Sequence, residues 1–176
     1  MNLKLLAAFF IVLACLCFSC QENDSKGGKD RKAPLPQKLL KYNQDAVAEE
    51  EMLINQYVKR HLIPVSIGRG GLRYYIYHHG NGQQVSDSAT VIFAYNVYFL
   101  TGDLIYSSKT EGNREVILGK TTIETGLHDG ILMMRGGDRA KFVLPSHLAF
   151  GASGDGKKIP PRTTLIYDIE LIDVNQ

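Results

Sequence analysis

Residues 126–145 read GLHDGILMMRGGDRAKFVLP, and this stretch decides the fold. Its apolar side chains recur at spacings of four and three, which places them on one face of a helix. Together with one residue just upstream, that face consists of Ile123, Leu127, Ile131 and Met134. The glycine pair at 136–137 ends the helix, because glycine is unfavourable in a helix interior. The following run, 139–144, has the composition of a strand and stops at Pro145.

Residues 165–171, near the carboxyl end, alternate between apolar and acidic side chains. Successive side chains of a strand point to opposite faces, so the pattern predicts a strand with one buried face and one wet face. The buried face would carry Leu165, Tyr167, Ile169 and Leu171. A helix with a single apolar stripe needs a sheet to cover it, so the helix and this strand are predicted to pack together.

The residues before the helix predict the remaining strands. Strand composition is found at 71–77, at 104–108 and at 116–118, and the longest candidate is 90–100, which has an almost entirely apolar face. The turn at 101–103 joins two of them as a hairpin. This order predicts an α+β fold in which an antiparallel sheet, a half-barrel, wraps around one short α-helix.

A further helix is predicted at 39–63, where apolar residues follow one stripe, an acidic run lies opposite, and Pro64 ends the pattern. We divide the chain accordingly into a helical segment, 39–66, and a domain of ordinary size, 67–176. The helix could dock on this domain, act as a stalk or pair with a second copy, and docking or a stalk is favoured. We expect the domain to fold without the preceding segment, because a glycine-rich link at 68–71 joins the two.

The amino-terminal region has the pattern of a bacterial lipoprotein signal. Residues 1–19 contain a single charge and an apolar run too short for a comfortable membrane span, as a signal peptide does. Ser19 supplies the small residue that lipid attachment requires before Cys20, and polar sequence begins immediately afterwards. Cys20 is therefore the predicted lipid attachment site, Cys15 is the rival, and a plain cleaved signal is the alternative. Residues 20–38 are predicted to be a flexible tether.

Charge and histidine placement argue against two classes of site. The chain carries 20 Lys and Arg residues against 18 Asp and Glu. It therefore lacks the basic excess that nucleic-acid binding requires, and no nucleic-acid partner is expected. The residues that could suggest a metal are scattered or stand as one isolated pair, so no metal site is predicted. They are His78, His79, His128, Cys17 and Cys20.

Five motifs occur in the same order as in a known family. They are a G-L-x-x-G helix at 126–130, a glycine-led strand at 137–142, an A-F-G corner at 149–151, an I-P-P loop at 159–161 and the strand at 165–171. With the G-L-x-Y start at 71–74, they resemble the FKBP-type peptidyl-prolyl isomerases, and the resemblance covers 71–174. The chain is also similar to the gliding-motility-associated FKBP-like lipoproteins of some Gram-negative bacteria.

The resemblance implies cis/trans isomerisation of the peptide bond before proline. Without a catalyst, this rotation breaks amide resonance over a barrier of ~18–20 kcal/mol. The twisted amide is less dipolar than the planar one, so a dry aromatic pocket stabilises it preferentially. Such a reaction needs no nucleophile, metal or cofactor, and none is expected here.

The family's pocket, carried over position by position, falls on nine residues of this chain. Four keep the family's character: Tyr95, Ile123, Ile159 and Tyr167. Five depart from it: Ile105, Tyr106, Glu124, Leu127 and Phe150. Arg114 lies near a further position at which the family has phenylalanine.

A plain core role stays open for three of the nine, namely Tyr95, Ile123 and Leu127. Ile105 and Leu127 would keep one wall of the pocket apolar. We therefore expect a preference for substrates with a large apolar residue before proline.

These features lead to the hypothesis of an isomerase that acts on exported proteins and is anchored by lipid in a Gram-negative cell envelope. Its partners would be proline-containing client proteins of the envelope, and the sequence leaves its oligomeric state open. Two alternatives remain. One is a non-catalytic binding module or holdase that grips extended segments, and the other is a structural subunit of an envelope machine, such as a gliding-machinery accessory protein.

Replacing Cys20 by serine tests the predicted anchor. Because the serine hydroxyl cannot accept the lipid, we expect Cys20→Ser to lose metabolic labelling by a radioactive fatty acid and to leave the membrane fraction. Cys15→Ser is the matched control and should stay labelled. Labelling that persists in Cys20→Ser and disappears in Cys15→Ser would move the attachment site to the earlier cysteine.

Overall fold

The computed structural model describes residues 36–175. The predicted signal peptide, Cys20, its rival Cys15 and nearly all of the predicted tether lie outside the described residues. In the part that is described, no helix combines the length and the apolar character needed to cross a bilayer.

Three helices and seven strands make up the described chain. The helices are α1 (Gln37–Arg60), α2 (Ser108–Glu111) and α3 (Thr125–Leu132). The strands are β1 (Ser66–Ile67), β2 (Arg73–His78), β3 (Thr90–Phe99), β4 (Leu104–Ser107), β5 (Arg114–Ile117), β6 (Arg139–Leu144) and β7 (Leu165–Asn175). Single 3₁₀ turns occur at Arg69–Gly71 and Ser146–Leu148.

The seven strands form one antiparallel sheet in the order β1-β2-β6-β7-β3-β4, and β5 also pairs with β3. β3 and β7 pair over the whole length of β3, from Thr90 opposite Asn175 to Phe99 opposite Leu165. The other edge of β3 is shared, because β5 pairs with its first part and β4 with its last part. The predicted α+β class, an antiparallel sheet around a short helix with a further helix before it, is confirmed.

Helix α3 packs closely on the concave face of the sheet. Leu127 and Ile131, two members of its predicted apolar stripe, are fully buried in the core. The glycines of the G-x-x-x-G spacing permit the approach, since a Cβ at Gly126 or Gly130 would lie 2.8 Å from the side chains of β6. The helix is shorter than the stripe suggests, and Ile123 and Met134 lie just outside its two ends.

Helix α1 docks on the opposite, convex face of the sheet. Ile54 of α1 is fully buried and forms a small second core with Val143 of β6 and Ile166 of β7. The alternation in β7 predicts that the residues on its outer face are exposed to solvent. This prediction is wrong for Ile166, because α1 covers that position. Of the arrangements open for α1, the structure shows docking, and α1 belongs to the same compact unit as the sheet.

Acidic side chains of α1 fasten the helix to the sheet and to one long loop. Glu50 accepts hydrogen bonds from the backbone N–H of Ser146 at 2.6 Å and from the hydroxyl of Thr164 at 2.6 Å. These two residues lie at the start and the end of the segment between β6 and β7, which we call the β6–β7 loop (residues 145–164). Arg73, almost fully buried, pairs with Glu51 of α1. The domain boundary at residue 67 stays a prediction. Helix α1, which precedes this boundary, contacts residues that follow it.

Shortening Ile54 measures how much the docked helix stabilises the unit. Ile54→Ala leaves a cavity over Val143 and Ile166, so we expect the free energy of unfolding to fall by about 2–4 kcal/mol in chemical denaturation. Val47→Ala, on the exposed part of the same helix, should change it by no more than about 0.5 kcal/mol. Equal effects of the two substitutions would show that α1 does not stabilise the sheet.

Candidate active site

A cavity of about 370 Å³ opens at the concave face of the sheet, where β3, β4 and β7 meet the β6–β7 loop. Five of the nine predicted site residues line it: Tyr95, Tyr106, Glu124, Phe150 and Tyr167. The rest of the wall comes from residues 111–114, at the corner between α2 and β5, together with Val97 of β3 and with Asp155 and Lys157 of the β6–β7 loop. Aromatic rings from three neighbouring strands and one loop therefore converge on a single space.

The other four predicted residues are not on the lining of this cavity. Leu127 is fully buried, Ile159 and Ile105 are nearly so, and Ile123 packs against the same core while half-buried. The reason is geometric, since the apolar stripe before and along α3 points at the sheet. The expected preference for a large apolar residue before proline thus loses its basis, because Ile105 and Leu127 do not line the cavity.

Tyr95 is held in place from both its backbone and its hydroxyl. The backbone N–H donates to the side-chain oxygen of Ser108 at 3.1 Å, and the phenol donates to Glu111 at 3.3 Å. The ring meets Phe93 edge-on, with 6.1 Å between ring centroids. Burial, together with the Glu111 carboxylate, raises the pKa of Tyr95, so its hydroxyl is a protonated donor at neutral pH.

Tyr106 anchors the β6–β7 loop to strand β4. Its hydroxyl donates to Asp155, whose other oxygen accepts the backbone N–H groups of Lys157 and Ile159, each at 2.8 Å. The hydrogen bond to Asp155 raises the pKa of Tyr106 to about 12. Desolvation would raise the pKa of the Asp155 carboxyl, but the hydrogen bonds from Tyr106, Ile159 and Lys157 outweigh it and hold that pKa at about 2. Lys158 adds a hydrogen bond to the carbonyl of Ile105 at 3.1 Å.

Tyr167 and Glu124 form a buried pair at the back of the cavity. The phenol donates to Glu124 Oε1 at 2.7 Å, and Arg114 Nη1 lies 3.7 Å from Oε2 of the same carboxylate. Burial, with Glu124 next to it, raises the pKa of Tyr167 well above its ordinary value. Three tyrosine hydroxyls of the cavity are thus all neutral and all engaged by carboxylates.

The roles of Arg114, Glu111 and Asp155 were not predicted from the sequence. A signal for Arg114 existed, because it and Glu124 bring opposite charges to two positions at which the resembling family has apolar side chains. Two such departures together indicate a compensating pair. Glu111 and Asp155 lie in loops without periodicity, and no pattern in the sequence points to them.

A larger cavity, of about 780 Å³, lies between α1 and the β6–β7 loop. Val47 and Leu53 of α1, with Phe99 at the end of β3, are among its lining residues, and none of the nine predicted residues is. Within residues 36–175, no three His, Cys, Asp or Glu side chains are grouped so that they could hold a metal ion. The smaller cavity is therefore the candidate site, in spite of its size.

Residues 81–172 match the family model for the FKBP-type peptidyl-prolyl cis-trans isomerases, which covers more than half of the chain and includes the lining strands β3, β4 and β7 up to residue 172. The chain belongs to this family. A probable FKBP-type peptidyl-prolyl cis-trans isomerase of Haemophilus influenzae is 31% identical over 111 residues, which are 63% of this chain and 46% of that protein.

Relatives in this family include one that is named inactive. The horse protein "Inactive peptidyl-prolyl cis-trans isomerase FKBP6" is 32% identical over 120 residues, 67% of this chain and 38% of that protein. The chain thus spans less than half the length of these two FKBP-type relatives.

Solved FKBP-type structures have the same fold. Escherichia coli FkpA superimposes with a TM-score of 0.64 at 25% identity, covering 98% of this chain and 70% of that one. The isomerase of Pseudomonas syringae gives 0.65 at 25% identity, covering 76% and 96%. The FkpA match extends over nearly the whole chain.

The bond between Tyr106 and Asp155 predicts a pH dependence of stability. The folded pKa of Asp155, about 2, lies below its ordinary value of about 3.9, so its stabilising contribution is present above pH ~4 and is lost as the pH falls towards 2. We expect the thermal midpoint of Asp155→Asn to lie below that of the wild type at pH 6, and the gap to close between pH 4 and 2. Other carboxyls titrate in both proteins, so the difference isolates Asp155. A gap that is constant over this range would contradict the assignment.

Proposed function

We propose that this FKBP-family chain is a peptidyl-prolyl cis/trans isomerase that binds X-Pro segments in the cavity between β3, β4, β7 and the β6–β7 loop. The observation that carries the proposal is the convergence of Tyr95, Tyr106, Tyr167 and Phe150 on that one space. Aromatic faces suit a proline ring, and the cavity is of the size at which small ligands are bound.

The proposed mechanism is non-covalent stabilisation of the twisted amide. Rotation about the X-Pro bond lowers the dipole of the amide, so a site with little water and large aromatic surfaces favours the rotated form over the planar one. The carboxylates of Glu111, Asp155 and Glu124 already accept the tyrosine hydroxyls. With these hydroxyls engaged, the proposed contacts to the substrate come from the aromatic rings, and no proton has to move.

The clients we propose are exported proteins of a Gram-negative cell envelope, reached by an isomerase tethered to the membrane through lipid on Cys20. The support is the apolar run before Cys20 and the polar segment after it. The similarity to gliding-motility-associated FKBP-like lipoproteins points to the same compartment. Proteins that cross a membrane unfolded must set their X-Pro bonds after export, which is a slow step without a catalyst.

A non-catalytic binding module is the second candidate. Two observations favour it: the cavity wall includes the charged pair Arg114 and Glu124 where the family is apolar, and one relative of comparable identity is named inactive. Such a module would hold extended proline-containing segments in the same cavity and release them with their isomer unchanged.

Phe150→Ala tests whether the cavity catalyses the isomerisation of X-Pro bonds. Phe150 is half-buried on a loop, so its removal takes away one aromatic wall with little effect on the core. We expect kcat/KM in a protease-coupled X-Pro peptide assay to fall roughly tenfold, which corresponds to about 1.4 kcal/mol of lost transition-state stabilisation. Leu104→Ala, on the exposed face of β4, is the matched control and should keep wild-type activity.

The wild-type rate itself separates the two candidates. A rate no faster than the uncatalysed background on every X-Pro peptide, combined with measurable peptide binding, would reject the isomerase and leave the binding module. Tyr95→Ala should also lose activity, but Tyr95 is mostly buried, so its thermal transition must be measured alongside.

A further inference from the structure

One oxygen of the cavity has no hydrogen bond. The side chain of Glu124 is only 6% exposed, and although Oε1 accepts the phenol of Tyr167, no residue between 36 and 175 donates a hydrogen bond to Oε2. Buried carboxylate oxygens are almost always satisfied, because removing them from water without a donor is costly. Glu124 lines the cavity, but Oε2 itself is closed to solvent, so a bound molecule can supply the missing donor only when the partly exposed Arg114 side chain beside it shifts.

The guanidinium group of Arg114 lies next to this oxygen. Arg114 Nη1 is 3.7 Å from Oε2, an ion-pair distance that is too long for a hydrogen bond, and the guanidinium carbon lies 5.9 Å from the centroid of the Phe93 ring. A guanidinium has five N–H donors and no acceptor. The Arg114 side chain is about one-third exposed and lines the same cavity, so these donors can reach a bound molecule.

The chemistry of the pair selects its ligand. A group that binds both residues must present a donor to Glu124 Oε2 and an acceptor to Arg114, side by side. A carboxylate offers no donor and would meet the charge of Glu124. An ammonium offers no acceptor, would lose its own hydration, and would lie close to the Arg114 guanidinium. Neutral amide groups that present an N–H and a C=O side by side satisfy both partners.

Two kinds of amide group occur in a prolyl peptide. One kind is in the main chain, and the other is the side-chain carboxamide of Asn or Gln. An extended residue before proline does present its N–H and C=O on one side. However, its C=O belongs to the bond that rotates, and a hydrogen bond from Arg114 would favour the planar amide, whose oxygen is the more negative. A side-chain carboxamide engages the pair without this cost.

We propose that Arg114 and Glu124 form a carboxamide-binding subsite, which makes the cavity selective for prolyl segments with Gln or Asn next to the proline. The proposal rests on the proposed binding of X-Pro segments in this cavity. Glu124 and Arg114 act here as specificity-determining residues, and the amide that rotates lies against the aromatic rings.

Two peptide series test the proposal with the full chain. In one, the residue before proline is Gln, Glu, Lys or Leu, and in the other the same four residues follow proline. Isomerisation is measured by NMR exchange spectroscopy, which needs no coupled protease. In at least one series we expect kcat/KM for the Gln peptide to exceed that for each of the other three about tenfold, equivalent to about 1.4 kcal/mol. Glu is nearly the same size as Gln, so this comparison isolates the amide.

Two variants test whether a preference for the Gln peptide depends on Arg114 and Glu124. In Glu124→Gln, where the acceptor carboxylate is gone, the Gln-to-Leu ratio of kcat/KM should fall to about one. Arg114→Met, which leaves the core intact, should lower the same ratio and covers the case in which Glu124→Gln fails to fold. Glu170→Gln makes the same chemical change in an exposed ion pair on the other face of the sheet and should keep the wild-type ratio.

The outcomes separate this inference from the proposed function. Turnover of all peptides at equal rates, a preference for Lys, or a Gln preference that survives both variants would overturn the carboxamide subsite and leave the isomerase standing. If no peptide is turned over, the isomerase fails, and dissociation constants from NMR titration decide the subsite. Tighter binding of the Gln peptide by about tenfold would support it, and equal binding would overturn it.

Discussion

The pairing of β3 with β7 is the constraint on which the rest of the structure depends. The two strands stay antiparallel over ten residues of β3, with a register shift between Ile92 and Phe93. From Phe93 to Phe99 the side chains of both strands therefore alternate in step between the two faces of the sheet. Tyr167 lies opposite Val97, and Tyr95 is therefore its diagonal neighbour on the concave face. A slip of either strand by one residue would put the two tyrosines on opposite faces of the sheet, and it would turn the apolar residues of the slipped strand away from α3.

The convex face of the same sheet binds helix α1. Val143 and Ile166 make it apolar at one place, and α1 covers that place with Ile54. Because Glu50 of α1 accepts hydrogen bonds at both ends of the β6–β7 loop, the helix also fixes the two points from which this loop reaches around to the cavity. Phe150 and Asp155 are carried by that loop. The position of α1 is in this way connected to the shape of the site through the loop, although α1 and the cavity lie on opposite faces.

The sequence predicted those parts of the fold that repeat with a period. The stripe containing Leu127 and Ile131 located α3, and the alternation after Leu165 located β7, because burial imposes these periods on any amphipathic element. The stripe of the first helix showed that one side is covered but could not show by what. Docking against Val143 and Ile166 depends on contacts between residues about 90 and about 110 positions apart in the sequence, which no local pattern encodes.

The candidate site was predicted less completely than the fold. Tyr95, Tyr106, Phe150 and Tyr167 are on the cavity lining, and the resemblance to a family supplied their positions. Leu127 and Ile105 are not, because a resemblance transfers a position but not the direction in which a changed side chain points. The contact between Arg114 and Glu124 joins the first residue of β5 to the residue before α3. Charge complementarity was visible in the sequence, but the 3.7 Å separation and the missing hydrogen bond were not.

The divided edge of β3 has a consequence for how the sheet meets other chains. Along β3, the pairing with β5 stops at Phe93 and the pairing with β4 starts at Asn96. The backbone N–H of Tyr95, in the gap, donates to the side chain of Ser108. The edge strands that face solvent there have only four residues each, and the strand at the opposite edge, β1, has two. Long free edges invite other chains to add as strands. By keeping both edges of the sheet short, this architecture offers other chains little free edge on which to add as strands.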